Sequence, residues 1–300
     1  MSAAWTLRRG ETGYPACLHD LDERAPGVLY GVGDRGLVSE LDPDRVVTIV
    51  GARRSGAYGR GVAHELGYGA GAAGLVVVSG MALGCDSSAH EGALAAGGST
   101  VAVLGNGPDI PYPPSKSELH ERIARKGGAV IAERPPGQQP EPRFFPERNR
   151  IMAALAGTVV IVEGRHRSGT RHTANEAEAL GRDVGAVPGA VTSSLSELPN
   201  DLIRDGAAMV RDPQDLLDLG LGVGMASVRA VGPLLEAELE HVLLAVEGGA
   251  ATCDAVALEA AVEGRSAAVA LARLELMGYV TADGVGRYAR TALAQPTVDE

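Results

Sequence analysis

The chain has 300 residues, 45% of them apolar and 22% charged, which is long and apolar enough for a substantial globular core and excludes a disordered chain. Its 41 glycines follow no triplet period, so a collagen-like repeat is excluded as well. The net charge of −11 argues against nucleic acid for the chain as a whole, but the acidity lies in the flanks: residues 11–44 carry two arginines against eight acids and residues 212–300 five against 14, whereas residues 45–211 carry 18 basic against 16 acidic residues.

Residues 1–44 read as an N-terminal extension packing on the domain that follows. Arg8 and Arg9 precede no apolar stretch, so no signal peptide is expected. Gly31-Val32-Gly33-Asp34-Arg35-Gly36 matches G-x-G-x-x-G after a short strand at residues 28–30. Residues 37–44 are too short and acidic for the helix that a dinucleotide fingerprint requires, so the match is read as a turn.

From Val46 onward, short apolar runs at residues 46–50, 75–78, 100–104, 129–132, 158–162 and 184–187, with a weaker one at 207–210, alternate with helix-length stretches near 59–73, 86–97, 115–126, 147–156 and 172–182. Uninterrupted Val and Ile runs predict strands buried on both faces, and the alternation predicts β-α-β units. The fold class expected for residues 45–219 is therefore α/β, an extended Rossmann-like doubly wound sheet, mostly parallel. Residues 66–85 hold twenty uncharged positions, the length of a membrane span, but six glycines and the run Val76-Val77-Val78 make them a helix end and a buried strand. The protein is expected to be cytoplasmic. Cys17, Cys85 and Cys253 are odd in number and widely spaced, which argues against a disulfide framework or a zinc site.

Residues 220–231 read as a linker. Residues 232–300 show helical patterns near 235–246, 253–262 and 266–277, then a hairpin around Asp283-Gly284, together suggesting a small C-terminal winged-helix domain.

The strand-to-helix links of an open α/β sheet are where such folds bind ligands. Here they carry Gly51-Ala52-Arg53-Arg54, Ser79-Gly80, Gly105-Asn106-Gly107 and Ser168-Gly169-Thr170, four glycine-containing loops on one sheet edge, suited to phosphates through free amides and arginine donors. Asp86 reads best as a helix cap. In Arg143-Phe144-Phe145-Pro146-Glu147-Arg148-Asn149-Arg150 the only two phenylalanines stand together, flanked by arginines, in what reads as a Pro-rich loop. An aromatic ring beside cations suits single-stranded nucleic acid. One of the two rings is expected to plug the core instead, with arginines paired to Glu133, Glu141 and Glu147.

Catalysis finds little support. Asp86 and His90 share a helix face without an activated nucleophile or metal-ligand set, and His166 and His172 read as polar contacts. G-x-x-x-x-G-K-[ST] is absent, so no P-loop ATPase is expected. No cofactor or metal is expected.

Taken together, Tyr14-Pro15, Ile49-Val50-Gly51-Ala52-Arg53, residues 78–90 (Val-Ser-Gly-Met-Ala-Leu-Gly-Cys-Asp-Ser-Ser-Ala-His), Ala102-Val103-Leu104-Gly105-Asn106-Gly107, Tyr112-Pro113-Pro114, Phe145-Pro146-Glu147-Arg148-Asn149-Arg150-Ile151 and Ala186-Val187-Pro188-Gly189 resemble the DNA-processing protein A family, DprA/Smf. The resemblance implies a single-stranded DNA-binding mediator that loads RecA during transformation or recombination, a homodimer, and no enzyme. It implies that Arg53, Arg54, Ser79, Gly80, Phe145, Arg148, Asn149, Arg150, Ser168 and Gly169 line the DNA groove. The chain departs from that family in the segment Arg171-His172, where an apolar pair is usual, and 44 residues before Arg45 are too few for the helical domain that opens many relatives. At −9, residues 212–300 look more like a protein-contact module than a DNA binder. The rival reading is a Rossmann-like phosphoribohydrolase of the lysine decarboxylase-like type, whose catalytic Glu would stand where this chain has Thr173, one helical turn before Glu176.

Overall fold

A computed structural model describes residues 4–226, 233, 235–283 and 285–291. The chain forms two compact units, Met1–Val228 and Arg229–Glu300. The proposed linker residues 227–231, Gly284 and the tail 292–300 lie outside the described residues.

The first unit is an α/β fold on a mixed, mostly parallel sheet of nine strands. They are β1 (Trp5–Arg8), β2 (Val28–Gly33), β3 (Val46–Val50), β4 (Val76–Ser79), β5 (Thr100–Leu104), β6 (Ala129–Ala132), β7 (Thr158–Ile161), β8 (Asp183–Ala186) and β9 (Ala208–Met209). Their spatial order is β1-β2-β6-β5-β4-β3-β7-β8-β9. From β6 to β9 all neighbours are parallel, while β1 pairs antiparallel with β2 and β2 with β6. The order reverses at β3: the chain runs outward through β4, β5 and β6, then returns to build β7, β8 and β9 on the other side. The crevice between β3 and β7 is thus the topological switch point, where the loops diverge and leave room for a ligand.

The helices of this unit are α1 (Arg35–Ser39), α2 (Ala57–Ala72), α3 (Cys85–Ala95), α4 (Ser117–Arg125), α5 (Phe144–Leu155), α6 (Gly169–Ala179), α7 (Glu197–Arg204) and α8 (Pro213–Leu221). Side chains alternate across the sheet with period two. Val47 and Ile49 of β3 join a core with Ala63, Leu66, Ala89 and Ala93 of α2 and α3 and with Leu216 and Leu217 of α8. Val46 and Val50 face the opposite core, with Ile151 and Met152 of α5, Ala174 of α6 and Leu198 of α7. Both faces are covered, which is why the central runs are continuous Val and Ile rather than alternating.

The N-terminal segment completes this unit. Gly31–Gly33 is strand and not a turn: it ends β2, paired to β6, and Asp34 then accepts from the Leu37 amide to cap the short α1. The sequence reading missed this because β2, an antiparallel strand held between β1 and β6, is interrupted by Gly31 and Gly33 and carries no long Val/Ile run. A 3-10 segment, Ala16–Arg24, lies against α5 and buries Cys17, Leu18 and Leu21.

The second unit holds α9 (Ala237–Glu247), α10 (Cys253–Glu259) and α11 (Gly264–Leu276), then an antiparallel pair, β10 (Val280–Ala282) with β11 (Tyr288–Arg290). Its own core gathers Leu239, Val242, Leu243, Val256, Leu271, Leu274 and Tyr279.

Candidate nucleic-acid interface

The loops that leave β3 and β7 enclose, with the start of α5, an open cavity of about 660 Å³ at the switch point. Gly51, Arg53 and Arg54 line it from the β3 loop, Phe145, Arg148 and Asn149 from α5, and Ser168, Gly169 and Thr170 from the start of α6. Gly80 and Gly105 line a smaller adjoining cavity of about 100 Å³, which shares Arg53, Tyr112, Phe145 and Arg148 with the first. Two sequence candidates lie elsewhere. Ser79 is fully buried and its hydroxyl donates to the Ile49 carbonyl (2.6 Å). Arg150 spends its guanidinium on the Arg24 carbonyl (2.8 Å), the Glu147 carbonyl (2.5 Å) and the Glu133 carboxylate (2.8 Å), tying α5 to the N-terminal segment.

Phe144 and Phe145 are in the first turn of α5, not in a loop. Pro146 misled the sequence reading: its missing N–H costs nothing in a first turn, where the amides have no intrahelical acceptor. The two rings divide as expected. Phe144 is buried against the core side, with the Arg134 and Arg143 guanidinium groups 4.3 and 5.0 Å from its centroid. Phe145 faces the cavity, stacked on Tyr112 at a centroid distance of 5.2 Å and an interplanar angle of 25°, with the Arg53 guanidinium 5.1 Å from its ring. Of the arginines flanking the pair, Arg143 meets Glu141 and Arg150 meets Glu133 as expected, whereas Glu147 pairs with Arg134 from the preceding loop and Arg148 faces Asp86.

Arg148 is a buried strut rather than a free cation. Its Nη1 donates to the Gly80 carbonyl (2.7 Å) and to the Val103 carbonyl, bridging the ends of β4 and β5, and its Nε donates to Asn149 Oδ1 (3.2 Å). Burial pulls its pKa down to about 10, with Arg53 adding to the fall and Asp86 opposing it. A Cβ on Gly80 would stand 2.1 Å from Arg148 Nη2, so glycine is what lets the strut pass. Asp86 is no simple cap: it lies inside α3, accepts from the amides of Gly51 (3.3 Å) and Ala82 (3.4 Å), and faces Arg148 Nη2 at 3.9 Å. Burial raises its pKa, with Arg148 and the two amides opposing the rise.

These contacts change how the site can hold an anion. The Gly51 amide is spent on Asp86, and the N-terminus of α2 is met by Glu163, whose carboxylate accepts from the Gly56 amide (3.1 Å). An amide cradle on the β3 loop is therefore occupied from within, and the available positive charge is carried by side chains. Arg53, Arg54, Arg165 and Arg167 all line the cavity and are exposed, and none belongs to an ion pair among the described residues. Arg165 and Arg167 were not singled out from the sequence, and Tyr112 was quoted in the Tyr112-Pro113-Pro114 motif without a site role. The Arg165-His166-Arg167 triplet directly before Ser168-Gly169 was the signal available. Among the described residues no group of His, Cys, Asp and Glu is arranged to hold a metal ion, and no helix is long and apolar enough to cross a membrane.

The crevice at the switch point of this mixed, mostly parallel α/β sheet is arginine-lined and aromatic-floored, a chemistry suited to phosphate-bearing ligands. The model of the DNA recombination-mediator protein A family matches residues 5–220, and the chain belongs to that family. A Mycobacterium tuberculosis relative is 40% identical over 279 residues, covering 90% of this chain and 71% of its own. The DNA processing protein DprA of Bacillus subtilis is 35% identical over 205 residues, covering 68% of this chain and 67% of its own. Among solved structures, DNA processing protein A of Streptococcus pneumoniae superposes with a TM-score of 0.66 at 36% identity, covering 71% of this chain and 73% of that one. The Helicobacter pylori protein, in a structure reporting its single-stranded DNA binding mode, gives 0.64 at 28% identity, covering 72% and 95%.

Proposed function

We propose that this chain binds single-stranded DNA in the switch-point cavity and acts as a recombination mediator that delivers the strand to RecA. The observation that carries this reading is the grouping of exposed, unpaired Arg53 and Arg54 with the Phe145–Tyr112 stack. Cations hold phosphates and a ring accepts any base face, which gives affinity without sequence readout. Ser168, Gly169 and Thr170 offer the uncapped start of α6 to the same ligand. Gly51, Ser79, Gly80, Gly105, Arg148, Asn149 and Arg150 act by shaping the groove.

The sheet unit takes the extended Rossmann-like form, with residues 1–44 as an extension packed on residues 45–219. The C-terminal unit, a winged helix over residues 232–300, serves as an acidic protein-contact module beyond the linker expected at 220–231, whose first two residues, Gly220 and Leu221, still belong to α8. The chain works as a cytoplasmic homodimer and as a binder rather than an enzyme. The phosphoribohydrolase alternative needs a carboxylate on the cavity side of α6; Thr173 stands there, and Glu176 is paired outward with Arg24 at 2.8 Å.

The test is an anisotropy titration of labelled oligo-dT and a matched duplex without metal or nucleotide. Binding of oligo-dT well ahead of the duplex, lost in Arg53→Ala/Arg54→Ala, is expected, and a RecA filament-assembly assay on coated strands follows. Equal affinity of that double variant and the wild type would remove the groove assignment.

A further inference from the structure

The β7–α6 loop, residues 162–168, and the first residues of α6 are held more firmly than a solvent loop. The Gly164 amide donates to the Leu195 carbonyl (2.7 Å), and the Gly164 carbonyl accepts from the Leu198 amide (2.9 Å) at the start of α7. The His166 amide donates to Glu197 Oε2 (3.1 Å), and His166 Nδ1 meets Asp201 Oδ2 at 2.8 Å. Arg171 Nε closes the loop on the His166 carbonyl (3.1 Å), and Asn149 Nδ2 reaches the Gly169 carbonyl (3.2 Å) from α5. The polar groups that fasten the loop come from its backbone and from the side chains of Glu163, which accepts from the Gly56 amide, and His166. The two flanking arginines, Arg165 and Arg167, take no part: they are exposed, they line the cavity, and they belong to no ion pair among the described residues.

A loop fixed by its backbone with two cations left over is preorganised for a ligand, because little ordering entropy is lost when it binds. Acids of α7 anchor the loop but pair with His166, Arg171 and Arg204, which leaves the charge of Arg165 and Arg167 uncancelled toward the cavity. Across the switch point, Arg53 and Arg54 supply two more cations from the β3 loop. Four guanidinium groups on two loops, around one aromatic stack, exceed what a single nucleotide phosphate needs. They suit successive phosphates of one chain.

We propose that Arg165 and Arg167 form a second phosphate-contacting wall, so that the phosphodiester backbone passes between the β3 and β7 loops. This rests on the single-stranded DNA reading above and adds the path of the strand. If each of the four arginines neutralises one phosphate, the slope of log K against log salt is about −2.8 for a single strand, and removing two brings it to about −1.4. Between about 50 and 200 mM salt the wild type then loses roughly 50-fold in affinity and the variant only about 7-fold.

The experiment is an anisotropy salt series with labelled oligo-dT on the full chain, comparing wild type, Arg165→Ala/Arg167→Ala, Arg165→Lys/Arg167→Lys, and Arg122→Ala/Arg125→Ala, which removes two arginines of α4 outside the cavity lining. The expected result is a slope halved in the first variant and retained in the lysine and α4 variants. A wild-type slope in Arg165→Ala/Arg167→Ala, with circular dichroism unchanged, overturns the second wall and leaves the DNA reading standing. No oligo-dT binding by the wild type overturns the DNA reading itself.

Discussion

Three buried ionisable groups, Arg148, Asp86 and His90, set testable limits on this molecule. Arg148 and Asp86 face each other under the cavity, and Arg148 also satisfies two strand-end carbonyls. Removing one partner of a buried pair strands the other charge, so Arg148→Ala should cost about 3–5 kcal/mol in a urea unfolding experiment. Arg148→Lys should recover little, because a single ammonium lacks the planar fork that reaches several partners at once. His90 is fully buried, with Nδ1 2.6 Å from the Thr100 hydroxyl, and that hydroxyl donates to the Val77 carbonyl, so Nδ1 carries the proton. Burial, reinforced by Arg148, lowers its pKa to about 3. Both folded and unfolded chains hold a neutral imidazole above the ordinary pKa of about 6.5; below it only the unfolded chain takes up the proton, so stability falls by up to about 1.4 kcal/mol per pH unit. His90→Gln should flatten the loss of urea midpoint between about pH 7 and 5, and an unchanged slope would reject this assignment. At this scale the sequence made Arg53, Arg54 and Phe145 legible, since charge and aromatic composition are local properties. The roles of Asp86, Arg148 and Arg150 were not legible, because each depends on partners brought in by other elements.

The start of α5 carries two adjacent phenylalanines with different duties. Phe144→Ala empties a buried ring site and should cost about 3–5 kcal/mol of stability with no separate binding defect. Phe145→Ala removes the cavity-facing ring and should weaken oligo-dT by about 1–3 kcal/mol, read by anisotropy, while leaving the urea midpoint nearly unchanged. The reverse pattern would mean the rings have been assigned the wrong way round. Among the elements, the buried parallel strands were the easiest to read, since β3, β5 and β6 match their Val/Ile-rich runs residue for residue. The glycine-rich α2 is held by tertiary contact in spite of poor helix propensity: a Cβ on Gly67 would lie 2.2 Å from the Ala89 carbonyl oxygen of α3. Helix starts were read three residues late at α5 and α6, where a proline and a Ser-Gly pair look like loop but are compatible with a first turn.

At the scale of the whole molecule, the described residues that line the cavity belong to the first unit, and each unit has its own core. A fragment of residues 1–228 should therefore bind oligo-dT as the full chain does, and a large loss of affinity on truncation would assign part of the interface to the C-terminal unit. The division into an α/β sheet and a helical C-terminal region was legible because strand-like runs stop near residue 210 and helical periodicity takes over. The switch point was not legible from pattern alone, since the strand order β4-β3-β7 arises from pairing between segments more than a hundred residues apart. The central claim is that single-stranded DNA lies in that crevice. The measurement that tests it most directly is ultraviolet crosslinking of 4-thiothymidine-substituted oligo-dT to the intact protein, followed by peptide mapping. Adducts on the peptides carrying Tyr112 and Phe145, competed away by unlabelled oligo-dT, are the predicted result; adducts confined to residues 235–291 would contradict it.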